Sequence, residues 1–404
     1  MSSIQHSHDA SLLPATDTNG MQAMLERHTK NLPQNMNMAP ASNTSKTIAV
    51  LGSTGFLGPH IVAALLRTHK HSKIFCLNRS LDGQQRTESA LSQLMDNFAA
   101  EQQRLHYWMT DITQPNFGLG PSQTGLLAFQ VDELIFNAWE AHWAKKLAHF
   151  DSFLAGVRNA IDFCAVACRR PRITFVSSIC AVGNWPVVYP MNPVIPEAVV
   201  WDNRSAMPHG YGEAKCVAEQ VLEKAHKASA IPVSIIRAGQ IGGPSQLNLG
   251  AWPRQGWLYS IILASSKQGV FPTHMQPLDW IPVDILADGI ANITMRRPNS
   301  SVEVFNALHP NPASWSLFYK TLCSHFGLQA EEESLPGWLD LFDPTSMKLH
   351  GFLSTWGRGR EYNMVFDKQR ASEVLPPVPP ITEDLLVRWL AGWKLTLGES
   401  SAKL

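Results

Sequence analysis

The stretch "KTIAVLGSTGFLGPHIVAALLRTHK", residues 46 to 70, constrains the fold more than any other part of the chain. A short apolar run stops at Gly52, glycines recur at Gly55 and Gly58, and helical periodicity begins directly behind them. Glycine permits a tight turn and lets the backbone approach a ligand. A helix opening on such a turn offers free N–H groups and about half a positive charge to a diphosphate. The spacing is G-x-x-G-x-x-G rather than G-x-G-x-x-G, but the strand before and the helix after supply the context of a dinucleotide turn. Pro59 suits the first helical turn, where a missing N–H costs little. Gly52, Thr54, Gly55, Phe56, Leu57 and Gly58 are therefore candidate cofactor contacts.

"SKIFCLNRS" completes a βαβ unit, and the alternation continues. "RLHYWMTDI", "VDELIFNAW", "PRITFVSSICAVG" and "PVSIIRAGQIGG" read as strands, separated by helical stretches such as Phe153 to Val166 and Tyr211 to Ala228. This predicts an α/β fold with a doubly wound parallel sheet, whose ligand lies at the carboxyl ends of the strands. Residues 46–243 form the expected dinucleotide-binding domain of Rossmann type. After Gly243 the pattern gives way to a segment punctuated by Pro and Trp, so 244–404 is expected to be a smaller, mostly helical substrate-covering region, with 279–310 returning to the sheet. Residues 1–45 are polar and aperiodic and read as a flexible lead-in, in which "MQAMLERH" makes at most a transient helix.

Strand ends should then carry the chemistry. "FCLNRS" ends in Asn78 and Arg79, where an NAD-binding chain would place a carboxylate for the ribose 2′-hydroxyl. Arg79 would instead meet a 2′-phosphate through forked, charge-assisted contacts, which favours NADP(H). Asp111 with Ile112, Asn137 and Gln240 close later strands and are further candidate cofactor contacts. "FVSSICAVG" ends in two serines; Ser178, rather than Ser177, is the candidate for holding a substrate carbonyl oxygen. In "HGYGEAK", Tyr211 and Lys215 stand at i and i+4 on one helical face. An ammonium beside a phenol favours the phenolate, so Lys215 is expected to lower the pKa of Tyr211 from about 10.

Charge excludes other classes. Lys+Arg and Asp+Glu are equal at 33 each, so no net field draws the chain to nucleic acid or an anionic membrane. No apolar run reaches spanning length and no signal-type leader opens the sequence, so a soluble cytoplasmic protein is expected. Six scattered cysteines read as reduced core thiols. The 15 histidines include no H-E-x-x-H, and no metal is expected. G-x-S-x-G is absent, which argues against a hydrolase reading of the serines. Trp139, Trp185, Trp252, Trp257 and Trp280 are candidates for an apolar acyl pocket, with core packing the alternative for each.

A glycine-rich turn, a strand-end serine and Tyr-x-x-x-Lys, in this order, resemble the extended short-chain dehydrogenases/reductases. "GSTGFLG", "FNAWEAHWAKKLAHFDSFLAGVRNAIDFC", "RITFVSSICAVGNWP", "HGYGEAKCVAEQVL", "IIRAGQIGGP", "GAWPRQGWLYSIILASSK" and "LDWIPVDILAD" are similar to successive blocks of the terminal thioester reductase domains of fungal adenylate-forming reductases and nonribosomal peptide synthetase-like enzymes. That resemblance, over roughly Lys46 to His309, implies a catalytic set of Ser178, Tyr211 and Lys215, with Tyr211 and Lys215 also meeting the cofactor. It implies NADPH-dependent reduction of a carrier-bound acyl thioester to an aldehyde, in some members on to the alcohol, in secondary metabolism. No adenylation or carrier domain precedes Lys46 in this sequence, so the resemblance implies a freestanding reductase served by an acyl or peptidyl carrier domain in trans. Where relatives often read Trp-Asn-x-x-Glu-Trp, this chain reads "WPRQGW", with Pro253 and Gly256 near the expected substrate mouth. Three alternatives stay open: a reductase of a free small-molecule ketone or aldehyde, a non-redox cyclase, and a non-catalytic NADP(H)-sensing protein.

Overall fold

The computed structural model describes residues 15–34, 46–273, 275–343, 350–354, 364–395 and 397. Seven strands form the central sheet: β1 (Thr47–Leu51), β2 (Lys73–Asn78), β3 (Leu105–Met109), β4 (Glu133–Phe136), β5 (Arg172–Ser178), β6 (Val233–Ala238) and β7 (Glu303–Ala307). Their order is β7-β6-β5-β4-β1-β2-β3, and every pairing is parallel. β1 and its neighbours are buried almost throughout, as a sheet covered on both faces requires. The order reverses between β1 and β4, which sets the crevice at their carboxyl ends.

The principal helices are α1 (Thr18–Thr29), α2 (Leu57–Thr68), α3 (Gly83–Leu94), α4 (Pro121–Gln130), α5 (Asp151–Val166), α6 (Gly210–Ser229), α7 (Gly256–Gln268), α8 (Val283–Met295), α9 (Trp315–Phe326) and α10 (Glu383–Ala391). One core cluster joins the α5/α6 face of the sheet to the Trp-rich region after Gly243, and a second lies between α2, α8 and the opposite face. Strand β7 pairs with β6, so the chain re-enters the sheet after α8. Among the described residues no helix is long and apolar enough to cross a membrane.

The flexible lead-in expected over residues 1–45 does not hold for its described part. Helix α1 packs on α5 and α6, with Met21, Met24, Leu25 and His28 buried. These four recur at helical spacing and present one face to the rest of the protein. Asp17 caps the helix by accepting the Gly20 N–H at 2.9 Å, and its own N–H donates to Glu213 at 2.8 Å. Arg27 and His28 both reach Asp151 at 2.9 Å. Composition concealed this helix because its partners lie more than a hundred residues away.

Candidate active site

Local sequence builds the turn first. Gly52 has φ +86°, a value that L side chains rarely adopt, and a Cβ there would meet the Ala138 backbone at 3.0 Å. A Cβ on Gly58 would strike Gly52 and Ser53 backbone atoms at 2.5 Å, so this glycine lets α2 dock on the turn. Gly55 faces open space, leaving a cradle at the start of α2 that a diphosphate fits. Asn78 does not point at a ribose: its Oδ1 accepts the Ser53 N–H at 2.9 Å and its Nδ2 donates to Ser53 Oγ at 2.8 Å. It holds the turn in place.

Arg79 follows β2 and is exposed. Arg86, which sequence reasoning missed, reaches back from α3 to the Thr54 carbonyl at 3.4 Å and puts a second guanidinium at the turn. No motif marks it; only the path of α3 does. Asp111 accepts from the Thr113 N–H and hydroxyl at 2.9 and 2.8 Å, and those bonds hold its carboxyl below the usual range. The Ile112 side chain packs against Gly156, and its carbonyl accepts from Asn159 at 2.8 Å. Asn137 donates to the Gly52 carbonyl at 2.9 Å, tying the end of β4 to the turn.

Ser177 and Ser178 end β5 and face different environments. Ser177 donates to Glu219 at 2.6 Å, inside the protein. Ser178 lines the same cavity as Tyr211 and accepts the Cys180 N–H at 3.2 Å. Helix α6 brings Tyr211 there. Its N-cap is His209, whose Nδ1 accepts the Gly212 N–H at 3.1 Å. A neutral imidazole is needed for that, and burial lowers the His209 pKa to about 4. A Cβ on Gly210 would meet the backbone of Lys146 and Leu147 at 2.3 to 2.4 Å, so glycine beside the tyrosine lets the helix seat against that loop. Trp143 packs edge-on to the Tyr211 ring at 4.9 Å.

Lys215 is buried one turn further along. Its Nζ donates to the Val176 carbonyl at 2.7 Å and sits 4.0 Å from the centre of the Trp139 ring, a cation–π contact. The electrostatics reverse the expectation for this pair. Burial pushes the Tyr211 pKa up, well above the usual phenol value, and lowers that of Lys215, with Glu219 opposing the shift on the lysine. Desolvation outweighs the neighbouring charge, so Tyr211 holds its proton.

Leu57, Asn137, Ser178, Tyr211, Lys215 and Gln240 line one cavity of about 260 Å³, which joins the glycine turn to the serine and tyrosine. Gln240 commits its amide within the protein, accepting from Trp257 Nε1 at 2.8 Å and donating to the Ile241 carbonyl at 2.8 Å and to Gln255 at 3.2 Å. Of the five tryptophans anticipated for a pocket, Trp139, Trp257 and Trp280 line it. Trp252 instead donates to the Ile241 carbonyl inside a Trp cluster, and Trp185 stacks on Tyr189. Trp143, on the loop after β4, and Trp315, in the first turn of α9, line the cavity unanticipated. Among the described residues no group of His, Cys, Asp and Glu is arranged to hold a metal ion.

The chain is similar to several known proteins. Carboxylic acid reductase of Neurospora crassa is 28% identical over 92% of this chain and 37% of its own length. Adenylate-forming reductase Nps10 of Heterobasidion annosum is 28% identical over 75% of this chain and 27% of its own. The chain therefore spans little more than a third of such relatives at most. The terminal R domain from the myxalamid PKS-NRPS biosynthetic pathway superposes with a TM-score of 0.75 at 22% identity, covering 92% of this chain and 96% of that one, which shows a common fold. Residues 50–290 match the Male sterility protein model, an NAD-binding domain, and the chain accordingly belongs to that family of nicotinamide-dependent reductases.

Proposed function

We propose that the protein is an NADPH-dependent reductase of an acyl thioester held on a carrier domain, with the aldehyde as product. The single observation that carries this reading is the cavity in which Ser178, Tyr211 and Lys215 stand at the end of a dinucleotide turn. The residues fit the cofactor: Gly52 to Gly58 and the start of α2 would hold its diphosphate, Arg79 and Arg86 its 2′-phosphate, and Lys215 its nicotinamide ribose. When bound, the reduced nicotinamide supplies hydride to the carbonyl carbon. Ser178 and Tyr211 donate hydrogen bonds to the carbonyl oxygen, and Tyr211, kept protonated by its burial, gives that oxygen its proton. The resulting hemithioacetal expels the thiol as its C–S bond breaks, and the aldehyde leaves. Lys215 orients the ribose and returns positive charge to the phenol as it loses its proton. Asp111, Ile112, Asn137 and Gln240 act as supports of the cofactor site, Asn137 through the turn and Gln240 through Trp257.

Replacement of Tyr211 by Phe tests the reading. A general acid contributes about 10²- to 10⁴-fold, so single-turnover reduction of an acyl-phosphopantetheinyl carrier protein should fall by that factor while NADPH binding holds. A protein that only binds cofactor would show no turnover to lose. Free aldehydes and ketones run in parallel decide the second reading, which the apolar tryptophan-lined cavity also suits: turnover of free carbonyls with the carrier-bound acid inert would replace the thioester assignment.

A further inference from the structure

One charged side chain in the cavity has no part in the proposed chemistry. Asp279 belongs to the wall formed by residues 275–280, among Met275, Trp257, Trp280, Trp315 and Met364, all of which line the same space. Its backbone is fixed from several directions. The Asp279 N–H donates to the Pro277 carbonyl at 2.8 Å, its carbonyl accepts the His309 N–H at 2.9 Å, and the flanking Leu278 and Ile281 N–H groups donate to the Ala313 and Gln240 carbonyls at 2.8 and 3.1 Å. Asp279 is thus held on fixed backbone in the wall of a largely apolar space.

Its charge is poorly compensated. Lys368 acts on it electrostatically but donates to the Pro310 carbonyl at 3.0 Å and the His309 carbonyl at 3.5 Å. Burial raises the Asp279 pKa to about 7. A carboxyl group in apolar surroundings is costly to charge, and Asp279 lies in the cavity wall, where a substrate group can meet it.

We propose that Asp279 is the specificity-determining group of this cavity, pairing with a hydroxyl on the acyl part of the substrate while the tryptophans hold the ring or chain that carries it. A hydroxyl both donates and accepts, so it pairs with the carboxylate and with the neutral acid alike, whereas an ammonium serves only the first form. A substrate carboxylate would be repelled. A methyl analogue would leave the acid unpaired, and sites built around a buried polar group discriminate strongly against ligands that lack its partner.

The proposal rests on the carbonyl-reductase reading for the kind of molecule in the cavity, so its test reads binding separately from turnover. Isothermal titration of the full chain with NADP⁺ present would compare 2-, 3- and 4-hydroxybenzaldehyde with the matching methylbenzaldehydes. The expected result is at least one hydroxylated isomer binding ten-fold or more tighter than its methyl counterpart. Asp279→Leu should erase that preference while methylbenzaldehyde binding holds or improves, and Asp279→Asn should retain most of it. An equal preference in the Leu variant, or none in the unmodified protein at any ring position, overturns the assignment. Should the Leu variant fail to fold, retention of the preference by Asn and its loss in Asp279→Ala serve the same end. NADPH oxidation is then followed with the same aldehydes and their pantetheine thioesters. A hydroxyl preference in binding without any oxidation would sink the reductase reading and leave Asp279 in place.

Discussion

Two buried arginine–glutamate pairs sit at opposite ends of the same sheet. At the amino ends of β4 and β5, Arg172 holds Glu133 through two bonds of 2.9 Å, and both side chains are at most 2% exposed. Toward the carboxyl ends, Arg237 holds Glu219 on α6 at 2.7 to 3.2 Å, again at most 2% exposed. Each glutamate also serves a second cation. Glu133 binds Lys46 at 2.7 Å, and that lysine is 29% exposed, so water shares its charge. Glu219 acts on Lys215, which is buried and has no such relief. It also accepts the hydroxyl of Ser177, next to Ser178. The same chemistry therefore fastens the fold at one end and stands beside the buried lysine of α6 at the other.

Removing each glutamate in turn gives the largest expected effects. Glu133→Gln takes the carboxylate from buried Arg172, which keeps the Ile293 and Arg296 carbonyls at 2.6 and 3.2 Å, and breaking a buried pair typically costs about 3–5 kcal/mol, readable as a lower urea midpoint. The folded remainder should keep its kinetics. Glu219→Gln should cost a similar amount, because Arg237, like Arg172, keeps two carbonyls, those of Pro196 and Ala198 at 3.0 and 2.7 Å. It removes a negative charge that favours the ammonium form of Lys215, so the alkaline limb of kcat/KM should move to lower pH. An unmoved profile in Glu219→Gln, or a moved one in Glu133→Gln, would dissolve the distinction between the two ends.

Legibility in the sequence divides along similar lines. The glycine turn, the strands and the Tyr211/Lys215 pair are local features, in which a few residues fix the backbone path, and a strand-turn-helix context can be read in order. What decides the protonation of that pair is not local. Trp139 and Val176 close over Lys215 from two other elements, and its burial, which Glu219 opposes, lowers its pKa in a way that spacing alone did not show. Arg79 carried the expectation of cofactor selection, whereas its neighbour Asn78 braces Ser53, a role visible only once α3 and the turn are packed together. Asp279 lies on a segment with no periodic pattern, and α1 needed its distant partners on α5 and α6 to be seen as ordered.

Arginines extend the comparison with a smaller effect. At the amino end of β3, Arg104 donates to the Ser72 and Leu66 carbonyls at 3.0 and 3.1 Å and is fully engaged in structure. Arg79, at the carboxyl end of β2, is exposed. Arg79→Ser should weaken NADPH binding and spare NADH, by about 1.5–3 kcal/mol if a charge-assisted contact to the 2′-phosphate is lost. That is roughly a 10- to 100-fold change in Kd, measurable by fluorescence titration. Arg104→Ser should lower stability and leave the ratio of the two affinities alone. Equal weakening of both cofactors by Arg79→Ser would remove the argument for NADP(H) selection.

Histidines provide the finest test. His69 follows α2 near the amino ends of the strands, with Nε2 at 2.7 Å from Thr294 Oγ1, while His209 caps the active-site helix at the other end. Burial lowers the pKa of each to about 4. In the unfolded chain both would titrate near 6.5, so between these values the unfolded state binds more protons. Their contribution to stability is therefore full above about pH 6.5 and declines as pH falls toward 4. His209→Asn keeps a side-chain oxygen that can cap the Gly212 N–H but removes the titration. Its stability should fall less steeply than that of the unmodified protein between pH 6.5 and 4, by roughly 2–3 kcal/mol over the interval, readable from urea midpoints across that range. His69→Asn should flatten the same curve without altering turnover. His209→Asn should in addition change turnover modestly, since the capped N–H lies one residue from Tyr211. Identical acid profiles for His209→Asn and the unmodified protein would mean that the imidazole at the head of α6 titrates alike in the folded and unfolded states, and the burial argued to keep that cap neutral would be lost.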